Sequence, residues 1–253
     1  VQLFNRYATY NGSDPYQTPA TLNIIPHLEF GIGAYFPKGG MHSITLSLYE
    51  LAKSVGVNFY FKTKVEKIVV HNGEAKGVDT KMGFHKADCV VCNMDMVAAY
   101  KTLLRDQYQP RKLLNQPKSS SALIFYWGIK KEFKQLGLHN IFFSDDYETE
   151  FKHIFEKGSI YKDPTVYVNI TSINKPSDAP EGCQNWFTMI NVPNNQGQDW
   201  DYFIDYARKA IIRKLSNQLG ENVEELIEVE DVLDPRLIEK RTSSVAGALY
   251  GNS

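Results

Sequence analysis

The stretch from Tyr35 to Val78 constrains the fold most strongly, because its hydrophobic pattern changes from a helical to a strand period. Pro37 and the pair Gly39-Gly40 predict a turn, since proline fixes φ and glycine permits positive φ. Apolar residues then recur at helical spacing up to Gly56, which predicts a helix that ends at this glycine. The predicted apolar stripe consists of Ile44, Leu48, Leu51, Ala52 and Val55.

Two β-rich runs follow the helix, VNFYF at 57–61 and VEKIVV at 65–70. The pair Asn72-Gly73 closes the second run and predicts a hairpin. One interpretation of the whole stretch is an ordinary α/β packing unit. The other is a ligand site, because a helix entered through paired glycines leaves backbone N–H groups open to an anion or a flavin ring. The residues of this stretch leave both interpretations open.

Composition excludes some classes of function. The 28 basic and 29 acidic residues balance, so no electrostatic attraction for nucleic acid is expected. The 15 Tyr and 14 Phe residues are many for 253 residues. They indicate either an aromatic-rich core or an aromatic-lined cavity for a large apolar ligand. No apolar run approaches the ~18–20 residues that span a bilayer.

Cys89 and Cys92 have C-x-x-C spacing, but no further Cys or His lies close by, so no metal site is predicted. Their run, 88–92, is apolar after Asp88 and predicts a strand buried on both faces, with the cysteines as small hydrophobes. The run ends at Asn93-Met94-Asp95, before a predicted helix at 96–104. Ligands of α/β proteins bind at such carboxyl ends of strands.

The second half predicts a separate lobe. Residues 105–120 are polar and contain prolines, which suggests a crossing between domains. A long amphipathic helix is predicted at 202–219 and ends at Gly220, and a shorter one follows Asp145 or Asp146 as N-cap. Strands are predicted at 121–133, 140–144, 165–171 and 186–192, with a further possible strand at 229–232. The predicted fold class is α/β (α+β), with two lobes and a mainly antiparallel second sheet flanked by helices.

The first 34 residues predict a short helix up to Tyr10 and then irregular chain. Long aromatic loops often serve a site, so several residues here are candidates to face a pocket. The alternative is that Arg6 and His27 satisfy loop carbonyls. No G-x-G-x-x-G, Walker or G-x-S-x-G motif is present, and the run Ser119-Ser120-Ser121 has no identifiable base.

Three segments together resemble a known family: residues 4–30, residues 35–68, and ADCVVCNMD with the later SSSALIFYWGI and HNIFFSDDYETEF. The chain resembles the bacterial-type phytoene desaturases, which are FAD-dependent carotenoid desaturases of the flavin amine oxidase superfamily. The resemblance implies an FAD cofactor, an apolar carotenoid substrate and desaturation of a C40 polyene. It also implies a central fragment that lacks the N-terminal Rossmann motif and the C-terminal flavin segment, with an exposed edge on its first sheet.

The resemblance also divides the chain. It implies a substrate-channel segment at 1–34, the central part of the FAD-binding lobe at 35–104, the substrate-binding lobe at 105–240, and a return to the FAD lobe at 241–253. Roles follow for individual residues. The implied catalytic residues are Arg6 and Tyr10, and the implied substrate-binding residues are Tyr7, Thr9 and His27. The implied cofactor-binding residues are Lys38, Gly39, Gly40, Val65, Asn93, Met94 and Asp95, with Met94 standing where the family has alanine.

A bilayer-soluble substrate implies peripheral association with the membrane, at its cytoplasmic face. Two rival functions stay open at this point. One is a related flavin oxidoreductase acting on another apolar polyene, of the carotenoid ketolase or retinol saturase type. The other is a non-catalytic lipid-binding module. The preferred carotene, the number of desaturation steps, the electron acceptor and the oligomeric state are also open.

Overall fold

The computed structural model describes residues 1–252, and within them two antiparallel sheets organise the chain. The smaller sheet has the order β1-β2-β3 and the larger has the order β5-β6-β7-β4-β8. The small sheet consists of β1 (Val65–His71), β2 (Glu74–Thr80) and β3 (Gly83–Lys86). The large sheet consists of β4 (Ser121–Ile129), β5 (His139–Phe142), β6 (Val166–Asn169), β7 (Gln184–Val192) and β8 (Ile227–Leu233).

Helices flank both sheets. They are α1 (Gln2–Asn5), α2 (Ile24–Ile32), α3 (His42–Ser54), α4 (Met96–Thr102), α5 (Arg111–Leu114), α6 (Tyr147–Phe155), α7 (Trp200–Leu219), α8 (Val223–Leu226) and α9 (Pro235–Thr242). Short 3-10 segments lie at Arg6–Asn11, Ala20–Asn23, Thr171–Ile173, Pro176–Asp178 and Val245–Gly247. The predicted combination of mixed helix and strand with an antiparallel second sheet is confirmed. Among the described residues, none of the helices has the length and apolar character needed to cross a bilayer.

The hydrophobic core lies between the large sheet and α7. Alternate residues of each strand point to this side, and Ile190 and Val168 there are completely buried. From the helix, Ala207, Ile211 and Leu215 are equally inaccessible. The predicted helix at 202–219 and its inward stripe are therefore confirmed.

Local signals set the ends of these helices. The Asp199 carboxylate accepts a hydrogen bond from Tyr202 N at 3.1 Å and begins α7. Gly220 ends α7 with φ of 70°, in the left-handed region that glycine adopts without strain. Asp146 caps α6 in the same way, through Thr149 N at 3.0 Å, which confirms the predicted start of that helix.

The small sheet forms around the predicted hairpin. Asn72 and Gly73 have φ of 51° and 80°, as the tight turn requires, and β1 and β2 pair on either side. Ile68 N donates to Leu103 O at 3.0 Å, which ties the sheet to the residue after α4. The predicted helix α3 also forms, but its apolar stripe is exposed. Leu48 is 61% accessible and Val55 is 71% accessible.

Three local predictions are wrong. Residues 57–61 form no strand; instead the Phe59 ring lies 4.7 Å from the Tyr49 ring on α3. Residues 88–92 form no strand, and Cys89 and Cys92 are exposed, because β3 ends the small sheet within the described residues. The chain after Tyr10 is also more regular than predicted, since α2 forms over Ile24–Ile32.

Candidate functional site

The large sheet has a second face, opposite α7, which we call the open face. Strand alternation places Tyr167 of β6 and Met189 of β7 on it, directly opposite each other in the ladder. Their sequence neighbours, such as Val168 and Ile190, point into the core on the other side. The open face consists of Tyr126, His139, Ile141, Tyr167, Asn169, Phe187, Met189 and Asn191.

A cavity of about 370 Å³ lies against one end of the open face, and we call it the sheet cavity. The N-terminal segment and the chain near Tyr250 supply its other walls. Four predicted site residues meet there, Arg6, Tyr7, Thr9 and Tyr10. The complete lining is Leu3, Arg6, Tyr7, Thr9, Tyr10, Glu29, Ala34, His139, Ile141, Tyr167, Met189, Asn191, Leu249 and Tyr250.

His27, the remaining predicted substrate residue, lines a different site. It borders an open cleft of about 680 Å³ together with Phe4 and Phe30. The rings of Phe4 and Phe30 lie 6.4 Å apart across this cleft. The sequence therefore grouped five residues of which the structure brings four together.

The run at Ser119–Ser121 holds the sheet cavity together through backbone contacts. Ser120 N donates to Gly12 O at 3.1 Å, and Leu249 N donates to Ser120 O at 3.1 Å. Tyr250 N donates to the Ser119 hydroxyl at 3.0 Å. These buried serines, for which no base could be found in the sequence, thus join the N-terminal segment to the chain near Tyr250.

The tyrosines of the N-terminal segment surround a carboxylate. The rings of Tyr7 and Tyr10 stack with centroids 5.8 Å apart. Burial raises the pKa of the Tyr7 hydroxyl, and the neighbouring Glu29 carboxylate raises it further. The pKa of Tyr10 is raised for the same two reasons. Both hydroxyls therefore stay protonated around neutral pH, and Glu29 contributes negative charge to the cavity wall.

Arg6 places the opposite charge in the cavity wall. Its Nη1 atom is buried and has no hydrogen-bond partner within residues 1–252. Below it lies Glu150 of α6, which accepts hydrogen bonds from Thr165 N at 2.8 Å and from the Thr165 hydroxyl at 2.6 Å. Burial raises the pKa of Glu150 to about 7, although these bonds and the Arg6 charge oppose the rise.

On the sheet side, His139 and Tyr167 form a pair. His139 Nδ1 lies 2.7 Å from the Tyr167 hydroxyl, and their rings stack at 6.0 Å. Burial raises the pKa of Tyr167. Asn169 Nδ2 also lies 3.3 Å from His139 Nδ1. These polar groups therefore have partners within the protein.

A row of rings leads from the sheet cavity along the open face. Phe187 packs edge-on against Tyr167 at 6.3 Å and against Tyr126 at 5.6 Å. Beyond this row a groove of about 700 Å³ begins, lined by Tyr126, Asn169, Asn185 and Phe187 among others. At about 3.4 Å per residue, the part of β7 from Asn185 to Asn191 is roughly 20 Å long. The open face thus offers an elongated, aromatic surface with a cavity at each end.

The predicted cofactor residues lie mainly around the small sheet and α3. Lys38 and Gly39 are exposed before α3, while Gly40 is buried beside Lys175. Val65 opens β1 opposite Thr80. The remaining three precede α4, where Asn93 is exposed, Met94 Sδ lies 4.0 Å from the Thr102 hydroxyl, and Asp95 accepts from Ala98 N at 3.0 Å.

Asp95 connects this region to the sheet cavity. A Cβ at Gly251 would lie 3.9 Å from Asp95 Oδ2, and Gly251 follows the cavity residue Tyr250. Gly251 O in turn accepts from Ser119 N at 2.9 Å. The start of α4 therefore lies close to Gly251, the residue that follows Tyr250 in the cavity wall.

These residues fit part of a flavin cofactor site. The first turn of α3 has no side-chain cap. Gly40 N, Ser43 N and Ile44 N already donate to backbone carbonyls, so among the described residues the N–H groups of Met41 and His42 are the ones available to phosphate or ring oxygens. Lys38 adds an exposed positive charge to the same loop. A bound flavin would supply a hydride acceptor at this edge of the site.

Sequence reasoning missed the sheet contribution to the cavity. His139, Tyr167, Asn191 and Glu29 were not predicted as site residues. The signal for Tyr167 and Asn191 was present, because they alternate with the apolar core residues of their strands. Identifying them required knowing which face of the sheet α7 covers, and that information is not local.

The N-terminal half of the chain, residues 1–128, matches the model of the flavin containing amine oxidoreductase family. A 1-hydroxycarotenoid 3,4-desaturase from Flavobacterium sp. (strain P99-3) is 57% identical over 250 residues, covering 99% of this chain and 51% of that protein. A phytoene desaturase from Fusarium fujikuroi is 30% identical over 276 residues, covering 100% of this chain and 48% of that protein. The chain thus spans about half the length of these curated relatives.

A solved structure supports the fold independently. An oxidoreductase from Methanosarcina mazei superimposes with a TM-score of 0.61 at 15% identity, over 92% of this chain and 52% of that one. Such low identity supports the architecture alone. The family match covers half of the chain and includes the N-terminal wall of the sheet cavity, the glycine loop before α3 and the start of α4. The chain therefore belongs to the family of flavin containing amine oxidoreductases.

Proposed function

We propose that the protein containing this chain is an FAD-dependent oxidoreductase that desaturates a carotenoid. The observation that carries the proposal is the 57% identity, over 99% of the chain, to a relative named as a 1-hydroxycarotenoid 3,4-desaturase. Phytoene desaturases match the same length of chain at about 30% identity. A hydroxylated carotenoid is accordingly our preferred substrate, and phytoene is the second candidate.

The open face supports an elongated apolar substrate. Its rings, from Tyr167 through Phe187 to Tyr126, pack edge-on in a row, so a polyene laid along the row meets ring faces and ring edges in turn. Stacking along a fixed row orients the chain of double bonds and excludes water from it. The sheet cavity then receives one end of the polyene, beside the predicted catalytic residues Arg6 and Tyr10.

In desaturation, a hydride leaves one carbon, a proton passes from the neighbouring carbon to water, and a C=C bond forms between the two carbons. The flavin, when bound, supplies the hydride acceptor. Positive charge develops on the polyene as the hydride leaves, and Glu29 and the face of the Tyr10 ring are suited to stabilise it. Arg6 lies against the buried side of the same wall, where it is close to Glu150. We assign it to holding the N-terminal segment in position.

The test uses the full-length protein, purified and examined for flavin absorbance. It is then incubated with vesicles that contain either phytoene or a hydroxylated carotenoid, and the products are separated and identified by their longer-wavelength absorption. We expect bound flavin and new double bonds, with faster turnover of the hydroxylated substrate. If flavin is bound but the product carries a keto group and no new double bond, the ketolase alternative is favoured. Carotenoid binding without flavin would instead identify a lipid-binding module.

Glu29 provides a sharper arm of the same test. Glu29→Gln removes the negative charge from the cavity wall and is expected to lower kcat by about 100–1,000-fold, as for a lost electrostatic contact at a developing charge. Glu66→Gln, at an exposed position of β1, makes the same chemical change away from the site and serves as the control. Equal rates in the two variants would contradict the role of Glu29.

We also propose that α2 and its flanks bind a membrane surface, from which a carotenoid would be taken. Exposed apolar side chains support this assignment. Phe30 is 68% accessible, Ile32 67% and Tyr35 85%. Phe30→Asp in the full-length protein is expected to reduce co-sedimentation with phospholipid vesicles. Val91→Asp, at a position 90% accessible but distant in sequence from α2, is the control. If both variants bind vesicles as well as the wild type, this assignment is refuted.

A further inference from the structure

Asn191 is a buried polar side chain in the wall of the sheet cavity. It is only 7% accessible, and it lies near the end of β7 on the open face. Its side-chain amide has no hydrogen-bond partner among residues 1–252, although its polar atoms are not sealed from the cavity. An amide has two donor hydrogens and an acceptor oxygen, so its full hydrogen-bonding capacity is turned to whatever fills this space.

The surroundings of Asn191 leave room for a ligand. Its partner across the ladder on β4 is Ala122, whose side chain is a single methyl group. Leu249 lines the same cavity, but its backbone N–H already donates to Ser120 O at 3.1 Å. The next residue of β7 on the same face is Met189, two positions before Asn191, and it lies opposite Tyr167 of β6. The neighbours of Asn191 in the ladder and on its own strand thus offer no side-chain hydrogen bond to its amide.

The other polar groups of the cavity are hydrogen-bonded or charged, and among them the buried Arg6 Nη1 also has no partner within residues 1–252. His139 and Tyr167 satisfy each other at 2.7 Å. Glu29 lies beside the hydroxyls of Tyr7 and Tyr10. A pure hydrocarbon in the cavity would leave the Asn191 amide desolvated and unpaired, which is energetically unfavourable. A hydroxyl group can both donate to Asn191 Oδ1 and accept from Nδ2, which removes that cost.

We propose that Asn191 determines substrate specificity by binding a hydroxyl group at one end of the carotenoid. The inference rests on the proposed function, and it assigns the hydroxyl end to the sheet cavity and the polyene to the ring row on the open face. A site built to hydrogen-bond a hydroxyl discriminates strongly against the analogue that lacks it, because its own polar group is then left unpaired. Hydrocarbon carotenoids are consequently the poorer substrates of this site.

The experiment compares lycopene with the lycopene hydrate that carries a hydroxyl group at one end. Both are presented in phosphatidylcholine vesicles to the full-length protein with its flavin. The quantity measured is the ratio of kcat/KM for the hydroxylated to the unhydroxylated carotenoid. We expect the wild type to favour the hydroxylated compound, and Asn191→Leu to lower this ratio by roughly 10–100-fold, as expected for an unmade buried hydrogen bond. Asn191→Asp keeps an acceptor and is expected to recover part of the ratio.

Met189→Leu is the matched control, since it changes a neighbouring residue on the same strand and face without altering hydrogen bonding. It is expected to change both kcat/KM values by the same factor and leave the ratio as in the wild type. A ratio that is equal in wild type and Asn191→Leu would overturn the proposal. So would an equal fall for both carotenoids, which would indicate a purely structural role.

Direct binding separates this inference from the proposed function. Quenching of protein fluorescence gives a Kd for each carotenoid whether or not turnover occurs. A wild-type preference for the hydroxylated compound that is lost in Asn191→Leu, without any desaturation, would refute the enzyme but support the assignment of Asn191. Desaturation of both carotenoids, together with equal Kd values for the two, would support the enzyme but refute the assignment of Asn191.

Discussion

The contact at Gly12 gives a direct test of how the sheet cavity is assembled. Gly12 has φ of 61°, a left-handed conformation, and it faces the residues that close the cavity. A Cβ added there would lie 2.6 Å from Tyr250 Cδ2 and 2.8 Å from Ser119 Cβ. Both distances are well below ordinary van der Waals contact. Gly12→Ala must therefore both strain the backbone and displace a neighbour.

The expected loss of stability is the sum of these two effects. A left-handed conformation costs an alanine about 1 kcal/mol relative to glycine. Inserting a methyl group into a packed contact costs about 1–3 kcal/mol more. Gly12→Ala is accordingly expected to lower the free energy of unfolding by about 2–4 kcal/mol. Because the displaced ring belongs to the cavity wall, carotenoid binding should weaken as well.

Gly220→Ala provides the matched control. Gly220 has φ of 70°, close to that of Gly12, but a Cβ there would meet nothing within 4 Å. It should lose only the backbone component, about 1 kcal/mol, and keep carotenoid affinity. Urea unfolding of the full-length protein, monitored by tryptophan fluorescence, measures both. Equal losses in the two variants would refute the close contact between the N-terminal segment and Tyr250.

Two further predictions concern buried groups near the large sheet. The pKa of Glu150 is raised from 4.5 to about 7 in the folded protein, so its stabilising effect is complete below pH 4.5 and is lost as pH rises through 7. The stability of the wild type relative to Glu150→Gln should therefore fall by about 3 kcal/mol over that range, and parallel pH profiles from urea unfolding would contradict it. Leu215→Ala, at a completely buried position of α7, should cost about 2–5 kcal/mol in the same assay. The control Leu219→Ala, at a partly buried position, should cost less, and equal losses would argue against the assigned core.

Elements with local signals were predictable from the sequence. Asp146 and Asp199 marked the starts of α6 and α7, and Gly220 marked an end, because a cap satisfies backbone groups within one turn. The turn at Asn72-Gly73 was equally local. In each case the residues that determine the structure lie within four positions of one another.

Strands without a neighbour were not predictable in this way. The runs at 57–61 and 88–92 have strong β-formers, yet a strand is defined by hydrogen bonds to another strand, and neither run has such a partner among residues 1–252. The apolar character of 88–92 predicted burial for Cys89 and Cys92, but burial too depends on what lies above and below. The composition of a segment indicates its tendency to form a strand, but it does not show whether a neighbouring strand is present to pair with it.

The candidate site shows the same division. Arg6, Tyr7, Thr9 and Tyr10 lie close in sequence, so the family resemblance could indicate them as a group, and the cavity unites them. Asn191 comes from another part of the chain, and only the pairing of β7 with β4 and β6 gives it this position. Recognition of a substrate by Asn191 therefore depends on the register of the sheet.

Register also explains why the test at Asn191 is discriminating. A shift of β7 by one residue would turn Asn191 into the core beside α7 and bring Ile190 to the cavity wall. The core would then contain an unpaired amide, so the same packing that buries Ile190 and Val192 completely also fixes the amide on the cavity side. The stability of the core and the specificity of the cavity are thus determined by the same alternation along β7. A substitution at Asn191 can change the carotenoid preference while α7 and its core contacts stay in place.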